Sequence, residues 1–192
     1  MVEETNKIWT PPPNLKISDW ADRYRRLSPE SSAESGQWKT DRAPYQKEIM
    51  DAFNDPETQR IVWMKSSQVG ATEVLLNVIG YYIDQDPAPM LCMQPTLAMA
   101  QAFSKDRLAT MIRDSEKIRD CVKDPRSRDS GNTVLSKKFA GGNLSMVGSN
   151  SAAGLASRAI RIMLADECDR YEASAGAEGD ITCHKKNNNL LE

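Results

Sequence analysis

The sequence predicts an α/β domain whose sheet is mostly parallel and is flanked by helices. Short apolar runs of strand length alternate along the chain with longer segments of helical periodicity, and this alternation is typical of parallel sheets. The chain has 192 residues, of which 40% are hydrophobic. That length suffices for one sizeable core and is short for two domains.

The first third of the chain predicts two helices and one strand. Residues 1–16 are rich in proline and are expected to form a flexible lead-in. Ile17–Leu27 has apolar residues at helical spacing with Ser18 as a candidate N-cap, and after a polar loop Tyr45–Phe53 resumes that spacing. Arg60–Met64 is then expected to be a short, buried strand.

The remaining elements follow the same alternation until the periodicity ends. In order, they are a helix from about Thr72 to Ile83, a strand Met90–Gln94, an amphipathic helix 97–122, a hairpin of Lys138–Phe139 with Asn143–Val147, and a strand Ala159–Ala165. Residues 17–172 are therefore expected to form one folded unit. Residues 173–192 show no periodicity of useful length and predict a frayed tail.

Composition and charge exclude several classes of protein. Lys and Arg total 25 and Asp and Glu total 27, so no whole-chain field attracts nucleic acid, and any DNA contact requires a local basic patch. No apolar run approaches the roughly 20 residues of a membrane span. The four cysteines form no CxxC pair, so free thiols in a reducing compartment are expected. Cys168, Cys183 and His184 fit no zinc spacing.

The first chemical motif lies between the strand at Arg60–Met64 and the helix that follows. A strand, a glycine-containing turn and a helix form a phosphate site, because N–H groups and the helix dipole point at the anion. The usual loop is G-x-x-x-x-G-K-[ST]. Here the eight positions are Lys65, Ser66, Ser67, Gln68, Val69, Gly70, Ala71 and Thr72.

Two positions of this loop match the pattern and two depart from it. Gly70 and Thr72 stand where the pattern requires them, and the Thr72 hydroxyl would bind Mg²⁺. Ala71 replaces the phosphate-binding lysine, but Lys65, at the other end of the loop, has a stem long enough to reach the phosphates of ATP. The alternative is that Lys65 is an ordinary solvated charge.

The second motif is an acidic pair at the end of an apolar strand. Asp166 and Glu167 directly follow Ala159–Ala165, as in a Walker B site, where the first carboxylate orients Mg²⁺ and the second polarises the attacking water. Such pairs also occur as solubilising caps. The conjunction with the Lys65–Thr72 loop favours an ATP·Mg²⁺ site.

Further residues have both a functional and an ordinary interpretation. Tyr45 and Gln46 could stack on and hydrogen-bond a purine, or Tyr45 could be a core residue. Thr96 is an N-cap for the long helix at the ligand-binding edge of the sheet. Arg158 could contact the γ-phosphate or DNA, or lie on the surface. The pairs Arg126/Arg128 and Lys137/Lys138 are interpreted first as a solvated face and second as a DNA contact.

Several longer motifs are specific enough to compare with known families: the run WADRYRRLSPESSAESGQWKTDRAPYQKEIMDAF, followed by KSSQVGATE, QPT, GSNSAAGLASR and LADECDRY. Together they resemble the GpA-like large terminase subunits of tailed bacteriophages. The similarity runs from about Ile17 to Tyr171. It implies an additional-strand P-loop ATPase fold that powers the packaging of double-stranded DNA into procapsids. It also implies a small terminase subunit and a portal as partners, a homo-oligomer, and the cytoplasm of the bacterial host as the location.

Carried over by residue, the resemblance implies Tyr45 and Gln46 at adenine, Lys65–Thr72 on the phosphates, Asp166 on Mg²⁺ and Glu167 as the catalytic carboxylate. The coupling motif, the remaining sheet strands and the nuclease domain of the family would lie beyond this sequence, so the sheet is expected to be incomplete. Two rival functions remain open at this stage. One is a non-hydrolysing nucleotide-binding remnant or interaction module, and the other is a helicase-like DNA translocase.

Overall fold

Helices and short strands alternate through the part of the chain that the computed structural model describes, which is residues 14–30, 32, 34–122, 131–151 and 159–171. The helices are α1 (Ile17–Tyr24), α2 (Tyr45–Ala52), α3 (Ala71–Asp84), α4 (Leu97–Ala102), α5 (Ala109–Asp114) and α6 (Glu116–Cys121). The strands are β1 (Arg26–Leu27), β2 (Gly36–Gln37), β3 (Pro89–Gln94), β4 (Ser136–Phe139), β5 (Gly142–Gly148) and β6 (Ile162–Ala165). Thr40–Arg42 and Cys168–Arg170 are 3₁₀ turns.

The central sheet has four strands in the order β4-β5-β3-β6. β3 pairs in parallel with both β5 and β6, so that Met90 is opposite Leu144 on one side and Ile162 on the other. β4 forms the antiparallel hairpin with β5. These pairings confirm an α/β architecture with a mostly parallel sheet, and they confirm the predicted hairpin and β3. The final strand begins at Ile162, three residues later than expected.

The main core lies between one face of the sheet and the helices. α3 is buried along nearly its whole length, and it packs with the apolar residues of α1, α2 and the helices after β3. The opposite face of the sheet carries a smaller cluster of Leu91, Met93 and Val147, against which Ile160 and Tyr171 pack. The Tyr171 hydroxyl donates to the Met93 carbonyl at 2.8 Å, which fixes the chain just after β6.

α1 packs closely against α3 through one aromatic side chain. Trp20 is fully buried, and its indole N–H donates to Asp84 Oδ2 at 2.8 Å. A β-carbon at Gly80 would lie only 2.3 Å from the Trp20 ring, so the crossing requires glycine at that position. The indole therefore has both the apolar packing and the hydrogen bond that a buried tryptophan needs.

The start of α1 is capped from another helix, and Ser18 is not its N-cap. Lys16 occupies the cap position without a side-chain hydrogen bond, and Ser18 lies inside the helix. Asn54 Oδ1 accepts from the Ile17 N–H at 2.9 Å, and Asp51 Oδ1 accepts from the Ser18 N–H at 3.1 Å. The free N–H groups of a helix start are thus satisfied by residues distant in sequence, which a local pattern cannot predict.

The predicted strand at Arg60–Met64 is wrong. No strand is formed there, and Val62 and Met64 are 78% and 93% exposed. A strand forms only where a neighbour accepts its backbone hydrogen bonds, and no strand of the described residues pairs with this segment. Trp63 still packs against the main core. β6 is an edge strand of the sheet. It pairs with β3 on one side, and no described strand pairs with its other side.

The predicted helix 97–122 forms, with two interruptions. Thr96 is its N-cap and accepts from the Met99 N–H at 3.2 Å, as the sequence predicted. A π-helical segment, Phe103–Leu108, joins α4 to α5, and extended backbone at Ser115 separates α5 from α6. The predicted helix Ile17–Leu27 ends earlier, at Tyr24, and its last two residues form β1, which pairs with β2 from the predicted polar loop. No described helix is long and apolar enough to cross a bilayer.

Candidate functional site

The loop between Lys65 and Thr72 ends in a helix N-terminus whose geometry requires glycine. Gly70 is the N-cap of the 14-residue helix α3 and has φ = 76°, in the left-handed region. The Glu73 and Val74 N–H groups bond to the Gly70 carbonyl at 3.0 and 3.2 Å. The N–H groups that precede them have no carbonyl of α3 to bond, and together with the helix dipole they favour an anion.

Two side chains of α2 contact this loop from behind. The Tyr45 hydroxyl and the Gln46 amide both donate to the Val69 carbonyl, at 3.1 and 2.8 Å. Gln46 is buried, its Oε1 has no hydrogen-bond partner, and a β-carbon at Gly70 would lie 2.6 Å from its Nε2. Tyr45 remains 55% exposed, so its ring faces outward beside the loop. The start of α2 therefore supports the loop directly.

The Thr72 hydroxyl meets the first acid of the strand-end pair. Thr72 Oγ1 lies 3.4 Å from Asp166 Oδ2, although the two residues are 94 positions apart in the chain. Asp166 is 6% exposed, and its N–H donates to the Met93 carbonyl at 3.1 Å, which extends the β3–β6 pairing by one residue. The fold thus brings together a hydroxyl and a carboxylate, which are the oxygen ligands that Mg²⁺ prefers.

Glu167, the second acid, has an unusual backbone conformation. Its φ is 51°, which is uncommon for a residue other than glycine, and such strain is enriched at functional sites. Glu167 Oε2 is buried without a hydrogen bond, and Arg170 Nη1 lies 3.2 Å from it. The carboxylate is therefore held by a local ion pair within one 3₁₀ turn.

Lys65 and the rest of the loop are not brought to these acids. Lys65, Ser66, Ser67 and Gln68 are exposed, and none makes a side-chain hydrogen bond or ion pair with the described residues. Gln68 has φ = 64°, a second left-handed residue in the loop. Only the end of the predicted site nearest α3, from Val69 to Thr72, is fixed by contacts with α2 and Asp166.

A buried ion pair behind the loop was not predicted from the sequence. Arg25 Nη2 lies 2.8 Å from Glu73 Oε2, and Arg107 Nη1 lies 3.8 Å from Glu73 Oε1. Glu73 directly follows Thr72, so the pair fixes the first turn of α3 against the end of α1. Burial lowers the pKa of Arg25, and Glu73 opposes that shift. Arg25 stands in a run of charged residues, and nothing in that local pattern distinguishes a buried arginine from a solvated one.

The other predicted site residues are placed as follows. Cys92, Cys121 and Cys168 carry free thiols, and burial raises the pKa of Cys92 to about 12. No group of three or more histidines, cysteines or acids in the described ranges could hold a metal ion by itself. Lys137 and Lys138 lie on β4. Residues 1–13 of the lead-in and the tail 173–192 lie outside the described residues, as do Arg126, Arg128, Arg158, Cys183 and His184.

Comparison with known proteins gives one consistent result. Residues 32–183 match the family described as the ATPase domain of the phage terminase large subunit gpA. The chain is 28% identical to the terminase large subunit of Enterobacteria phage P21 over 172 residues, which cover 89% of this chain and 26% of that protein. It is 26% identical to that of Escherichia phage lambda over 176 residues, covering 91% and 27%. The chain thus spans about a quarter of each relative's length. No solved structure matches it significantly.

Proposed function

Because this chain belongs to the family of phage terminase large subunit ATPase domains, we propose that it binds ATP·Mg²⁺ at the start of α3 and hydrolyses it. The observation that carries this proposal is the 3.4 Å approach of Thr72 Oγ1 to Asp166 Oδ2 beside a glycine-initiated helix. A hydroxyl from the loop and a carboxylate from the neighbouring strand end are the two protein ligands of Mg²⁺ in P-loop sites.

The residues present fit both the phosphates and the metal. The N–H groups from Ser66 to Gly70 and the positive end of the α3 dipole would hold the β- and γ-phosphates, with Lys65 contributing its ammonium from the exposed side of the loop. Thr72 and Asp166 would hold Mg²⁺, which typically keeps several water ligands beside one or two carboxylates. When bound, Mg²⁺ neutralises charge that develops on the phosphate oxygens.

Tyr45 and Gln46, at the start of α2, are proposed to contact the adenine base beside the loop. The Tyr45 ring is exposed next to Val69, where it is free to stack on adenine. Gln46 uses its Nε2 on the Val69 carbonyl and leaves Oε1 buried without a partner. For Gln46 to bind adenine, its amide would have to turn so that Oε1 reaches the surface and accepts from the adenine amino group. A buried acceptor without a partner costs about 1–3 kcal/mol, so satisfying it favours base binding.

Glu167 is proposed as the carboxylate that orients the attacking water. It follows the metal ligand Asp166 directly, and its backbone is held in the left-handed conformation. The Arg170 guanidinium, 3.2 Å from Glu167 Oε2, holds the carboxylate near the turn. Proton transfer to such a group typically contributes about 10²–10⁴ to the rate.

At the level of the whole protein, we extend the proposal by family membership. Residues 17–172 are a partial ATPase domain of an additional-strand P-loop type, and the activity serves the packaging of double-stranded DNA into procapsids in the cytoplasm of the bacterial host. A small terminase subunit, a portal and further copies of the chain are the proposed partners. The names of the relatives, each a terminase large subunit, support this extension.

Nucleotide binding and turnover, measured separately, test the proposal. Lys65→Ala and Thr72→Ala should each weaken the affinity for a fluorescent ATP analogue by about 10- to 100-fold, because hydrogen bonds to charged groups contribute about 1.5–3 kcal/mol. Glu167→Gln should leave that affinity unchanged and lower hydrolysis by at least about 100-fold. Lys39→Ala, which removes an exposed lysine outside the site, is the matched control for Lys65.

The possible outcomes separate the binding and hydrolysis assignments. If the unsubstituted chain binds no nucleotide, the site assignment is wrong. If it binds nucleotide but Glu167→Gln hydrolyses as fast as the parent, then Glu167 does not activate water. Binding without any turnover of the parent would favour a non-hydrolysing interaction module.

A further inference from the structure

A cavity of about 340 Å³ opens between the π-helical segment and the hairpin strand β4. Two lysines line it, Lys105 from the π-helical segment and Lys137 from β4, and none of the described residues of the lining is acidic. β4 and β6 are the two edge strands of the sheet, so the cavity lies at the opposite edge from Asp166. Three strand spacings of about 4.8 Å separate the two edges, or roughly 14 Å.

The walls of this cavity are fixed by hydrogen bonds. The Ser104 hydroxyl donates to the Val134 carbonyl, which joins the π-helical segment to the residues before β4. The Thr133 N–H donates to the Ser136 carbonyl at 2.9 Å, and Asn132 Oδ1 accepts from the Lys138 N–H at 2.6 Å. The cavity is therefore a structural feature of the fold, with both lysines on defined backbone.

Lys137 is the residue that points to a ligand. Its side chain is half-buried, and its ammonium donates to the Thr133 carbonyl at 2.7 Å. Desolvation lowers the pKa of Lys137, and no carboxylate among the described residues counteracts that effect. An ammonium has three N–H donors, so an anion in the cavity would supply both the missing charge and further acceptors. Lys105, exposed on the opposite wall, adds a second cation.

We propose that Lys105 and Lys137 bind a backbone phosphate of double-stranded DNA in this cavity. The cavity lies at the β4 edge of the sheet, whereas the proposed site for the phosphates of ATP at α3 lies towards the β6 edge. A lysine ammonium is a point charge suited to phosphate and carries no base specificity. The choice of DNA as the source of the phosphate rests on the proposed function, while the anion preference rests on the cavity itself.

The salt dependence of duplex binding tests this proposal. The variant Lys105→Met/Lys137→Met removes both charges and keeps the length of both stems. The slope of log affinity against log salt is about −0.9 for each neutralised phosphate, so loss of this one phosphate contact in the double variant should reduce its magnitude by about 0.9. Between about 50 and 200 mM salt, the parent should then lose about three- to fourfold more affinity than the variant for a short labelled duplex.

Matched variants separate this effect from general charge and from folding. Lys16→Met/Lys39→Met makes the same change in net charge at two exposed lysines, and its slope should equal that of the parent. Lys105→Arg/Lys137→Arg keeps both charges and should retain the parent slope. Thermal melting of each variant checks folding, and Lys137→Met should melt no lower than the parent because it removes a desolvated charge.

Three results would overturn the proposal. The first is equal slopes for the parent and Lys105→Met/Lys137→Met, and the second is no duplex binding by the parent. In the third, inorganic phosphate raises the melting temperature of the parent but not that of Lys105→Met/Lys137→Met, while the salt slopes of duplex binding are equal for the two proteins. That result would make the cavity a site for a free small anion. ATP affinity of the parent, measured alongside, reports on the proposed function independently.

Discussion

Glu73→Gln should lower the free energy of unfolding by about 3 kcal/mol, although it removes no apolar contact. The Arg25 side chain is 3% exposed and that of Glu73 is 18% exposed, and their charged atoms lie 2.8 Å apart. The Arg25 Nε already lacks a hydrogen-bond partner. Neutralising Glu73 therefore leaves a buried guanidinium without its hydrogen-bonded counterion, and the Asp114 carboxylate is the acid that still acts on its charge. Removing one partner of a buried pair typically costs about 3–5 kcal/mol, and the partial exposure of Glu73 favours the lower end.

The reverse substitution should cost less. In Arg25→Met, the remaining carboxylate of Glu73 keeps Arg107 at 3.8 Å and has some access to water. The double variant Arg25→Met/Glu73→Gln should be within about 1 kcal/mol of the parent, because neutral residues of similar volume often replace a buried pair without loss. The cycle of four proteins then gives the coupling energy directly.

Urea unfolding followed by tryptophan fluorescence measures these differences. Glu48→Gln is the matched control, since Glu48 is also an acid in the first turn of a helix but is exposed. It should cost no more than about 1 kcal/mol, the contribution of a charge to the helix dipole. If Glu73→Gln unfolds at the same urea concentration as Glu48→Gln, the pair is screened by solvent and the reasoning is refuted.

Three further predictions follow from single positions. At about pH 8, iodoacetamide should label exposed Cys168 in the native chain and label Cys92 only after unfolding, as peptide mapping would show, because burial raises the pKa of Cys92 to about 12. Gly70→Ala should destabilise the fold by about 1–2 kcal/mol in urea unfolding and weaken nucleotide binding, since φ there is 76°. Gly80→Ala should cost about 1–3 kcal/mol in the same assay without altering the loop, because the new β-carbon would lie 2.3 Å from the Trp20 ring.

The sequence predicted those elements that local periodicity determines. β3 is a continuous apolar run between two parallel neighbours, and its bounds were nearly correct. Thr96 was correctly identified as an N-cap because its partner, the Met99 N–H, is three residues away. Arg60–Met64 has the same apolar character as β3 and forms no strand, since strand pairing depends on a neighbour that composition does not reveal.

Local sequence patterns could not predict contacts between side chains that lie far apart in the sequence. The caps that Asn54 and Asp51 provide for α1 lie 37 and 33 positions away from their donors. Arg25 appears in a run of charged residues that indicates a solvated face, yet it is one of the most buried polar side chains of the described chain. The Thr72–Asp166 approach was anticipated from motifs, because the carboxyl end of a strand and the start of α3 meet at one edge of the sheet.

The groups proposed for binding and for hydrolysis are held in different ways. Thr72 and Asp166 are fixed by α3, by the β3–β6 pairing and by the Asp166 N–H bond to Met93. Lys65 is exposed, and Glu167 is held only by its own turn and Arg170. The Lys65 ammonium has no ion-pair partner among the described residues, and a bound phosphate would provide one. We therefore expect the Lys65 side chain to become ordered when nucleotide binds. Protease cleavage after Lys65 should accordingly slow when ATP and Mg²⁺ are added, and an unchanged rate would contradict a phosphate-binding role for this lysine.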